Sequence, residues 1–351
     1  MTPKPGIYFN VAQLDFNSLY PSIIVKYNVS PETVNRPKCR NRIKVPEAGH
    51  EICMDKEGLI PSVLSQLLKR RKALKEALHR SPPALRKVLD ERQKAIKWVL
   101  VASFGYLGYR NARFGKIEAY ESVTAFAREI LRRAIEITYA EGFDVLHVIV
   151  DSIFASRDNA LEEDYLRLAR RIEKEVGIGI KIEGLYDWVA FPRTSKGRGA
   201  PGRYFGRLVN GEVKIKGMEA VSRGVPLIVK ETQHECIKIL ATARGKEDLR
   251  KAFGLALKYV EHMITQTLKG KVPLEELVIE RRLRRRKYRS RQPHVVAANV
   301  GRIREGKVTY IMAPIPYPFF LGNHGYSRTY YVNRLKRVYM ELADLYRGLE
   351  K

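Results

Sequence analysis

The stretch from Val11 to Ile24 constrains the fold of this chain more than any other. Apolar residues lead up to a single acid, Asp15, and a Ser-Leu-Tyr-Pro turn follows it. This order predicts a strand that delivers a carboxylate to its end and then turns into a helix. From spacing alone, an acid in this position is more often a cap or turn residue than a metal ligand.

The charge balance indicates a polyanionic partner. The chain has 351 residues, with 65 Lys and Arg against 38 Asp and Glu and a formal charge of +27. Nucleic acid is the partner that such an excess favours, although a ribosome-like scaffold protein or a thermophilic surface would also carry it. No apolar run approaches the ~20 residues of a membrane span, and the N-terminus lacks the apolar core of a signal peptide. We therefore expect a cytoplasmic protein without a membrane partner.

Two helices joined at a proline turn are predicted between residues 58 and 104. Apolar residues recur at helical spacing from Gly58 to Arg80, Ser81-Pro82-Pro83 ends that helix, and a second one runs from about Ala84. Arg71 and Lys75 are four residues apart, so they share one helix face and can reach one polyanion together. A merely solvated basic face would show the same spacing.

The remaining elements follow from periodicity. Two short strands flank Asp151, and Asn210-Gly211 marks the turn of a later hairpin. The other predicted elements are helices over 117–141, 161–176, 227–242, 247–269 and 326–349, and a strand over 178–190.

The segment Asp15 to Ile24 resembles the first polymerase motif of family B DNA polymerases at nearly every position. Residues 121–125 and 293–298 resemble that family's palm helix and thumb. The resemblance implies an α+β fold with an antiparallel-sheet palm, an inserted helical-hairpin fingers domain and a mainly helical thumb. The implied domains are the palm over 1–57 and 106–200, the fingers over 58–105 and the thumb over 201–351.

In this family two acids bind the catalytic metals, and the matching residues are Asp15 and Asp151. The resemblance implies two Mg²⁺ ions, which Mn²⁺ can replace, held by these carboxylates and the main chain of Phe16. The family's third motif is Asp-Thr-Asp-Ser or a close variant, and this chain has Ile149 and Val150 where the first two residues belong. One acid is missing, so we expect weaker metal occupancy and slower chemistry. Without the resemblance, Asp151 would be read as a hairpin-turn acid.

The implied nucleotide site combines main chain, cations and rings. In the family the tyrosine that matches Tyr20 excludes a ribose 2′-hydroxyl. Two polar residues of the family's second fingers helix are replaced here by Val101 and Ala102, so we expect polar contacts that check the nascent base pair to be lost. Phe104 keeps a ring that allows base stacking to survive. The matching nucleotide-binding residues are Ser18, Leu19, Tyr20, Arg71, Lys75, Lys97 and Phe104.

The implied DNA contacts lie in a basic loop and in the basic run of 280–291. Gly202-Arg203-Tyr204 stands where the family has a Lys-x-Tyr duplex contact, and the basic run would follow the primer–template backbone without reading sequence. A localisation tag is the alternative for the run. The predicted DNA-binding residues are Arg203, Tyr204, Arg284, Arg285, Arg286, Lys287, Tyr288, Arg289 and His294.

Cys39 and Cys53 bracket a loop that resembles the segment closed by a disulfide in some hyperthermophilic archaeal members. Intracellular disulfides occur in such organisms, and two free thiols are an equally open alternative.

The leading hypothesis is template-directed DNA synthesis on primer–template DNA from dNTPs, slow and of low fidelity, with lesion bypass as one use. The family's exonuclease carboxylates have no counterpart in the sequence, so we expect no proofreading. A companion chain carrying the missing N-terminal and exonuclease domains would be a further partner, in a nucleoid-associated setting. The alternative hypothesis is a catalytically inactive DNA-binding accessory subunit.

Overall fold

A computed structural model describes residues 1–194, 196–283, 288 and 290–350. The strands are β1 (Gly6–Phe16), β2 (Arg42–Lys44), β3 (Glu51–Cys53), β4 (Asp144–Ile149), β5 (Ser152–Ser156), β6 (Ile180–Phe191), β7 (Tyr204–Leu208), β8 (Val213–Lys216), β9 (Ile279–Leu283), β10 (Gly306–Ile311) and β11 (Tyr317–Pro318). The helices are α1 (Leu19–Lys26), α2 (Leu59–Arg80), α3 (Pro83–Leu107), α4 (Ile117–Ala140), α5 (Glu162–Val176), α6 (Leu227–Ala241), α7 (Lys246–Lys269), α8 (Pro293–Val300) and α9 (Arg328–Glu350). Across these described ranges, no helix combines the length and the apolarity needed to cross a bilayer.

β1 lies inside a six-stranded antiparallel sheet with the strand order β4-β5-β1-β6-β7-β8. Its side chains alternate between the two faces of the sheet. Ala12, Leu14 and Phe16 join the core that α4 and α5 cover, whereas Val11 packs in an aromatic cluster around Phe154 on the other side. The predicted mixture of helices with an antiparallel sheet is therefore confirmed.

The sheet continues past residue 200, where the sequence placed the start of the thumb. β7 pairs with β6, from Tyr186 opposite Leu208 to Ala190 opposite Phe205, and β8 pairs with β7. The turn at Asn210-Gly211 reverses the chain and extends the sheet edge. Residues 204–216 thus belong to the central sheet. The sequence did not indicate this, because the strands that they pair with could not be recognised from local sequence.

The C-terminal region has a core of its own. Helices α6, α7 and α9 bury apolar side chains together with Trp188 and Phe205 of the central sheet. A three-stranded antiparallel sheet, β11-β10-β9, lies beside them and packs against α8. This region is therefore less exclusively helical than expected.

α2 and α3 form the predicted helical hairpin. Pro83 occupies the first helical turn of α3, where its missing N–H leaves no hydrogen bond unmade. Leu64, Leu100 and Leu107 anchor the base of the hairpin in the main core. Because the base of the hairpin is fixed in this way, the middle of both helices faces α1 and the end of β1.

Cys39 and Cys53 form a disulfide with a Cα–Cα distance of 5.8 Å. It closes the loop that contains the β2–β3 ribbon. Of the two alternatives left open by the sequence, the structure has the disulfide, and Cys236 is buried as a free thiol.

Candidate active site

The end of β1 meets the tip of the β4–β5 hairpin. Asp15 lies opposite Ser152 on β5, and the Ser152 hydroxyl donates to Asp15 Oδ1 at 2.8 Å. The N–H of Phe16 donates to the carbonyl oxygen of Asp151 at 2.9 Å. Asp15 and Asp151, 136 positions apart in the sequence, therefore line the same cavity.

The hairpin reverses through an unfavourable backbone conformation. Ile149 pairs with Ser152, so Val150 and Asp151 form the turn between them. Val150 has φ of 53°, in the left-handed region that β-branched residues rarely adopt. Such a residue costs roughly 1–3 kcal/mol and persists only where its surroundings impose it. Here the turn directs Asp151 toward Asp15.

Burial and negative charge raise the pKa of Asp15 to about 6. Loss of solvation contributes most, the hydrogen bond from Ser152 opposes it, and the charges of Asp151 and Glu183 add to the rise. The pKa of Asp151 is also raised, chiefly by burial. Two partly desolvated carboxylates that line one cavity favour a bound cation, and oxygen ligands are those that Mg²⁺ prefers. The lining therefore offers the kind of ligand that a divalent cation requires, and the metal site itself stays a prediction.

Glu183 on β6 is a third carboxylate of the cavity, and it is absent from the residues predicted from sequence. Lys214 donates to Glu183 Oε1 at 3.1 Å and to Gln13 Oε1 at 2.9 Å. Gln13, which is buried, donates to the hydroxyl of Ser152 at 3.4 Å, and Ser152 donates to Asp15. A continuous polar chain therefore supports the Asp15 carboxylate from inside the sheet.

The pKa of Glu183 is lowered. Burial is the largest single influence and raises it, but the hydrogen bond and charge of Lys214, together with the charge of Lys181, outweigh it. Glu183 therefore stays ionised under conditions where Asp15 takes up a proton.

The acids open into a cavity of about 530 Å³ between the sheet, α1 and the hairpin. Ten predicted residues line it, which are Asp15, Phe16, Ser18, Leu19, Tyr20, Arg71, Lys75, Lys97, Phe104 and Asp151. The lining contains three carboxylates and more cationic side chains than that. The cations are Arg71, Lys75, Lys94, Lys97 and Lys181. The cavity can therefore hold a ligand with several negative charges.

The hairpin cations are crowded in a way that an anion would relieve. Burial lowers the pKa of Arg71, whose guanidinium donates to Ser18 Oγ at 3.1 Å. Burial also lowers the pKa of Lys75, and the positive charges of Arg71 and Lys97 contribute further. A polyphosphate would supply the counter-charge that these side chains lack.

The N-terminus of α1 faces the same cavity. Ser18 caps the helix with φ of 50°, and its side chain makes no capping hydrogen bond. The first N–H groups of a helix have no partner within it and are suited to anions. The N–H groups of Leu19 and Tyr20 are accordingly available to a phosphate.

Three aromatic rings form a stack beside the cavity. Tyr20 and Phe104 stack with centroids 4.2 Å apart, and Phe104 and Tyr120 stack at 4.5 Å. Phe104 thus stacks on two tyrosine rings while it also lines the cavity, and its predicted contact with a base stays a prediction. Its observed contact is with Tyr20, whose orientation it supports.

The residues that depart from the family motifs lie in different surroundings. Val101 lines the cavity, where it presents an apolar surface. Ile149 packs against the aromatic cluster around Phe154, with its Cδ1 3.4 Å from the position that a Cβ on Gly202 would take. The replaced acid thus left an apolar contact in its place.

Two predicted DNA-binding residues have other roles in the structure. Tyr204 has no exposed surface and packs against Phe154 and Phe191, so the prediction that it touches DNA requires correction. The sequence motif identified the residue type but not its inward direction on β7. Arg203 donates to both carboxylate oxygens of Glu341 at 3.1 Å, which ties the central sheet to α9.

Tyr288 and His294 lie at a second, basic cavity of about 890 Å³, with rings 5.7 Å apart. Arg223, Arg281 and Lys307 also line it. His294 is mostly buried, and burial is the main cause that lowers its pKa. The predicted contacts Arg284, Arg285, Arg286, Lys287 and Arg289 lie outside the described residues.

Comparison with known proteins identifies the class of protein that this arrangement belongs to. The family model for DNA polymerase family B matches residues 1–340. The chain therefore belongs to family B of the DNA polymerases. DNA polymerase 2 of Saccharolobus solfataricus is 35% identical over 344 residues, which are 98% of this chain and 46% of that protein.

Two further matches agree with this membership. DNA polymerase 2 of Aeropyrum pernix is 36% identical over 306 residues, covering 85% of this chain and 36% of that protein. The structure of the family B DNA polymerase from Pyrobaculum calidifontis superposes with a TM-score of 0.72 at 30% identity, covering 98% of this chain and 46% of that one. The chain thus spans less than half the length of these relatives.

The raised pKa of Asp15 predicts a pH-dependent effect of Asp15→Asn on stability. The folded-state pKa of Asp15, about 6, lies above its unfolded value. Above pH 6 the ionised carboxylate therefore destabilises the fold, whereas below about pH 4 the carboxyl is protonated in both states and has no such effect. We expect Asp15→Asn to stabilise the protein at pH 8 by about 1 kcal/mol, discounted because the group is partly solvated. The gain should vanish near pH 4.

Denaturant unfolding at both pH values, without divalent metal, measures this difference. The exposed acid Asp144, at the opposite end of β4, supplies the control variant Asp144→Asn. A gain for Asp15→Asn that is the same at pH 4 and pH 8 would contradict the electrostatic explanation.

Proposed function

We propose that this chain carries out template-directed DNA synthesis, adding deoxynucleotides to a primer. The main supporting observation is that Asp15 and Asp151 share one cavity with the cations of α2 and α3. A dNTP has the complementary chemistry, since its triphosphate requires both cations and divalent metal. Family membership agrees with this reading.

Each side chain has a role in this proposal. Asp15 and Asp151, with the carbonyl of Phe16, would hold two Mg²⁺ ions, or Mn²⁺ in their place, and Glu183 lies close enough to add negative charge. Bound metal would neutralise charge that develops on the transferred phosphoryl group. The triphosphate would be oriented by cavity-lining groups, which are the side chains of Arg71, Lys75 and Lys97 and the N–H groups at the start of α1.

The proposal assigns the architecture as follows. The central sheet with α4 and α5 is the palm, the α2–α3 hairpin is the fingers, and the region that follows β8 is the thumb. The basic cavity around Tyr288 and His294 then lies on the thumb, where Arg281 and Lys307 can contact the phosphates of primer–template DNA.

Low fidelity and slow chemistry are part of the proposal. Val101 leaves an apolar surface in the cavity where a polar group would help to seat the triphosphate. Ile149 removes an acid from the metal site and instead packs in the aromatic cluster. A site with less polar checking would accept altered bases more readily, which suits synthesis opposite damaged templates.

The same departures favour one alternative, a catalytically inactive DNA-binding subunit that assists another polymerase. That alternative retains the basic cavity and its phosphate contacts but assigns no reaction to Asp15 and Asp151. Primer extension distinguishes the two functions.

Primer extension with Mg²⁺ or Mn²⁺ should require both acids. We expect Asp15→Asn and Asp151→Asn each to reduce the rate by about a thousandfold, since bound metal contributes several kcal/mol and 1.36 kcal/mol is tenfold. Asp144→Asn serves as the matched control and should extend like the wild type. If no metal supports extension by the wild type while duplex binding persists, the accessory-subunit function is correct.

The aromatic stack predicts how the enzyme selects the sugar. Tyr20→Ala should raise the use of ribonucleotides relative to deoxynucleotides by at least about tenfold, because a wall beside the 2′ position is removed. Tyr120→Leu should shift the ratio in the same direction by less, since Phe104 then supports Tyr20 from a looser stack. Tyr120→Phe retains the ring and should behave like the wild type.

The measurement is kcat/KM for a dNTP and the matching rNTP in each variant. An unchanged ratio in Tyr20→Ala would remove the steric role. A normal ratio in Tyr120→Leu would show that Tyr20 needs no support from the stack.

A further inference from the structure

The second half of α3 and the loop that follows it expose aromatic side chains outside the cavity. Trp98 is 74% exposed, Tyr106 is 62% exposed and Tyr109 is 53% exposed. Exposed large apolar groups close together indicate a contact surface. The only other tryptophan, Trp188, is fully buried and donates its indole N–H to the carbonyl of Ala243 at 3.0 Å.

These side chains lie along one face of the helix. Trp98, Ala102, Gly105 and Tyr106 recur at helical spacing, and the ring of Tyr109 lies 6.2 Å from that of Tyr106. We call these five residues the aromatic strip. Apart from its own turn of the helix, no atom of the described residues lies within 4 Å of the position a Cβ would take at Gly105, so the backbone there is open to a flat ligand. Trp98 and Tyr106 are roughly 12 Å apart along the axis, about the height of three to four stacked bases.

The charge around the aromatic strip indicates which ligand it takes. Residues 92 to 116 contain six Lys or Arg and no Asp or Glu, of which Lys94 and Lys97 line the cavity and Lys116 donates to backbone carbonyls. Arg110 and Arg113 are both exposed in the loop that carries Tyr109. Aromatic rings combined with a cationic surface are what single-stranded nucleic acid requires, because bases stack on the rings and phosphates meet the cations. A protein partner with an apolar face would gain nothing from this excess of positive charge.

The aromatic strip is continuous with the cavity. Val101 and Phe104 on the same helix line the cavity, while the aromatic strip lies beside them on the outer surface. A strand with one base at the cavity would therefore have the outer surface of α3 within its reach.

We propose that the aromatic strip binds unpaired DNA, with bases stacked on Trp98 and Tyr106 and phosphates near Arg110 and Arg113. This rests on the proposed function in identifying the strand as the template ahead of the site of synthesis. Single-strand binding itself requires neither metal nor dNTP.

Tryptophan fluorescence tests the proposal directly, because Trp98 is exposed and Trp188 is not. We expect an oligothymidylate, added at low salt without divalent metal or dNTP, to quench the emission of Trp98. Trp98→Ala should weaken binding of a labelled oligonucleotide at least about fivefold, the lower end of the loss expected for one stacked base. Trp98→Phe keeps a ring and should bind within about twofold of the wild type.

Val88→Ala is the matched control, since Val88 is an exposed apolar residue near the other end of α3. It should bind like the wild type. The emission of Trp188 in Trp98→Ala reports whether that variant is folded. Asp15→Asn should keep single-strand binding even though it loses primer extension, which separates failure of this proposal from failure of the proposed function.

Two results would overturn the proposal. One is wild-type affinity in a folded Trp98→Ala, which would leave the aromatic strip for a protein partner. The other is oligonucleotide binding without any change in Trp98 emission, which would place the strand elsewhere on the molecule.

Discussion

The hydrogen bonds between the end of β1 and the β4–β5 turn are the constraint on which the site depends. The N–H of Phe16 reaches the carbonyl of Asp151, and the hydroxyl of Ser152 reaches Asp15. Both bonds fix backbone register, and a one-residue slip would turn the acids to the opposite face of the sheet. The large core under Leu14 and Phe16 holds that register in place.

Opposite charges around one cavity explain why so many polar groups can remain partly buried. The charges of Asp151 and Glu183 help to raise the pKa of Asp15, and the charges of Arg71 and Lys97 help to lower the pKa of Lys75. A bound metal ion would relieve the repulsion at Asp15, and a polyphosphate would relieve the crowding at Lys75. The site is therefore completed by its ligands, and the strain of Val150 is a further local cost of holding Asp151 in place.

The sequence could predict residues whose role is fixed by local pattern. Spacing predicted that Asp15 ends a strand and that Arg71 and Lys75 share a helix face, and these three residues line one cavity, whereas their roles were implied only by the family resemblance. The sequence could not show that Glu183 belongs there, since that depends on β6 pairing with β1. The alternation Ile180-Lys181-Ile182-Glu183 was the available signal, because it places Lys181 and Glu183 on one face.

Other misassignments have the same physical origin. Tyr204 was assigned to DNA from its place in a motif, but pairing of β7 with β6 directs it into the aromatic cluster. The stacking of Phe104 on Tyr120 of α4 likewise depends on how two helices pack and could not be read from local sequence. A residue's chemistry can be read locally, whereas the face that remains free is decided by tertiary contacts.

Anomalous diffraction from crystals soaked in Mn²⁺ and a dNTP tests the central claim most directly. The account predicts Mn²⁺ within ligand distance of the carboxylates of both Asp15 and Asp151, with the triphosphate against Arg71 and Lys75. Mn²⁺ bound only elsewhere, with the cavity between the two acids empty, would contradict it.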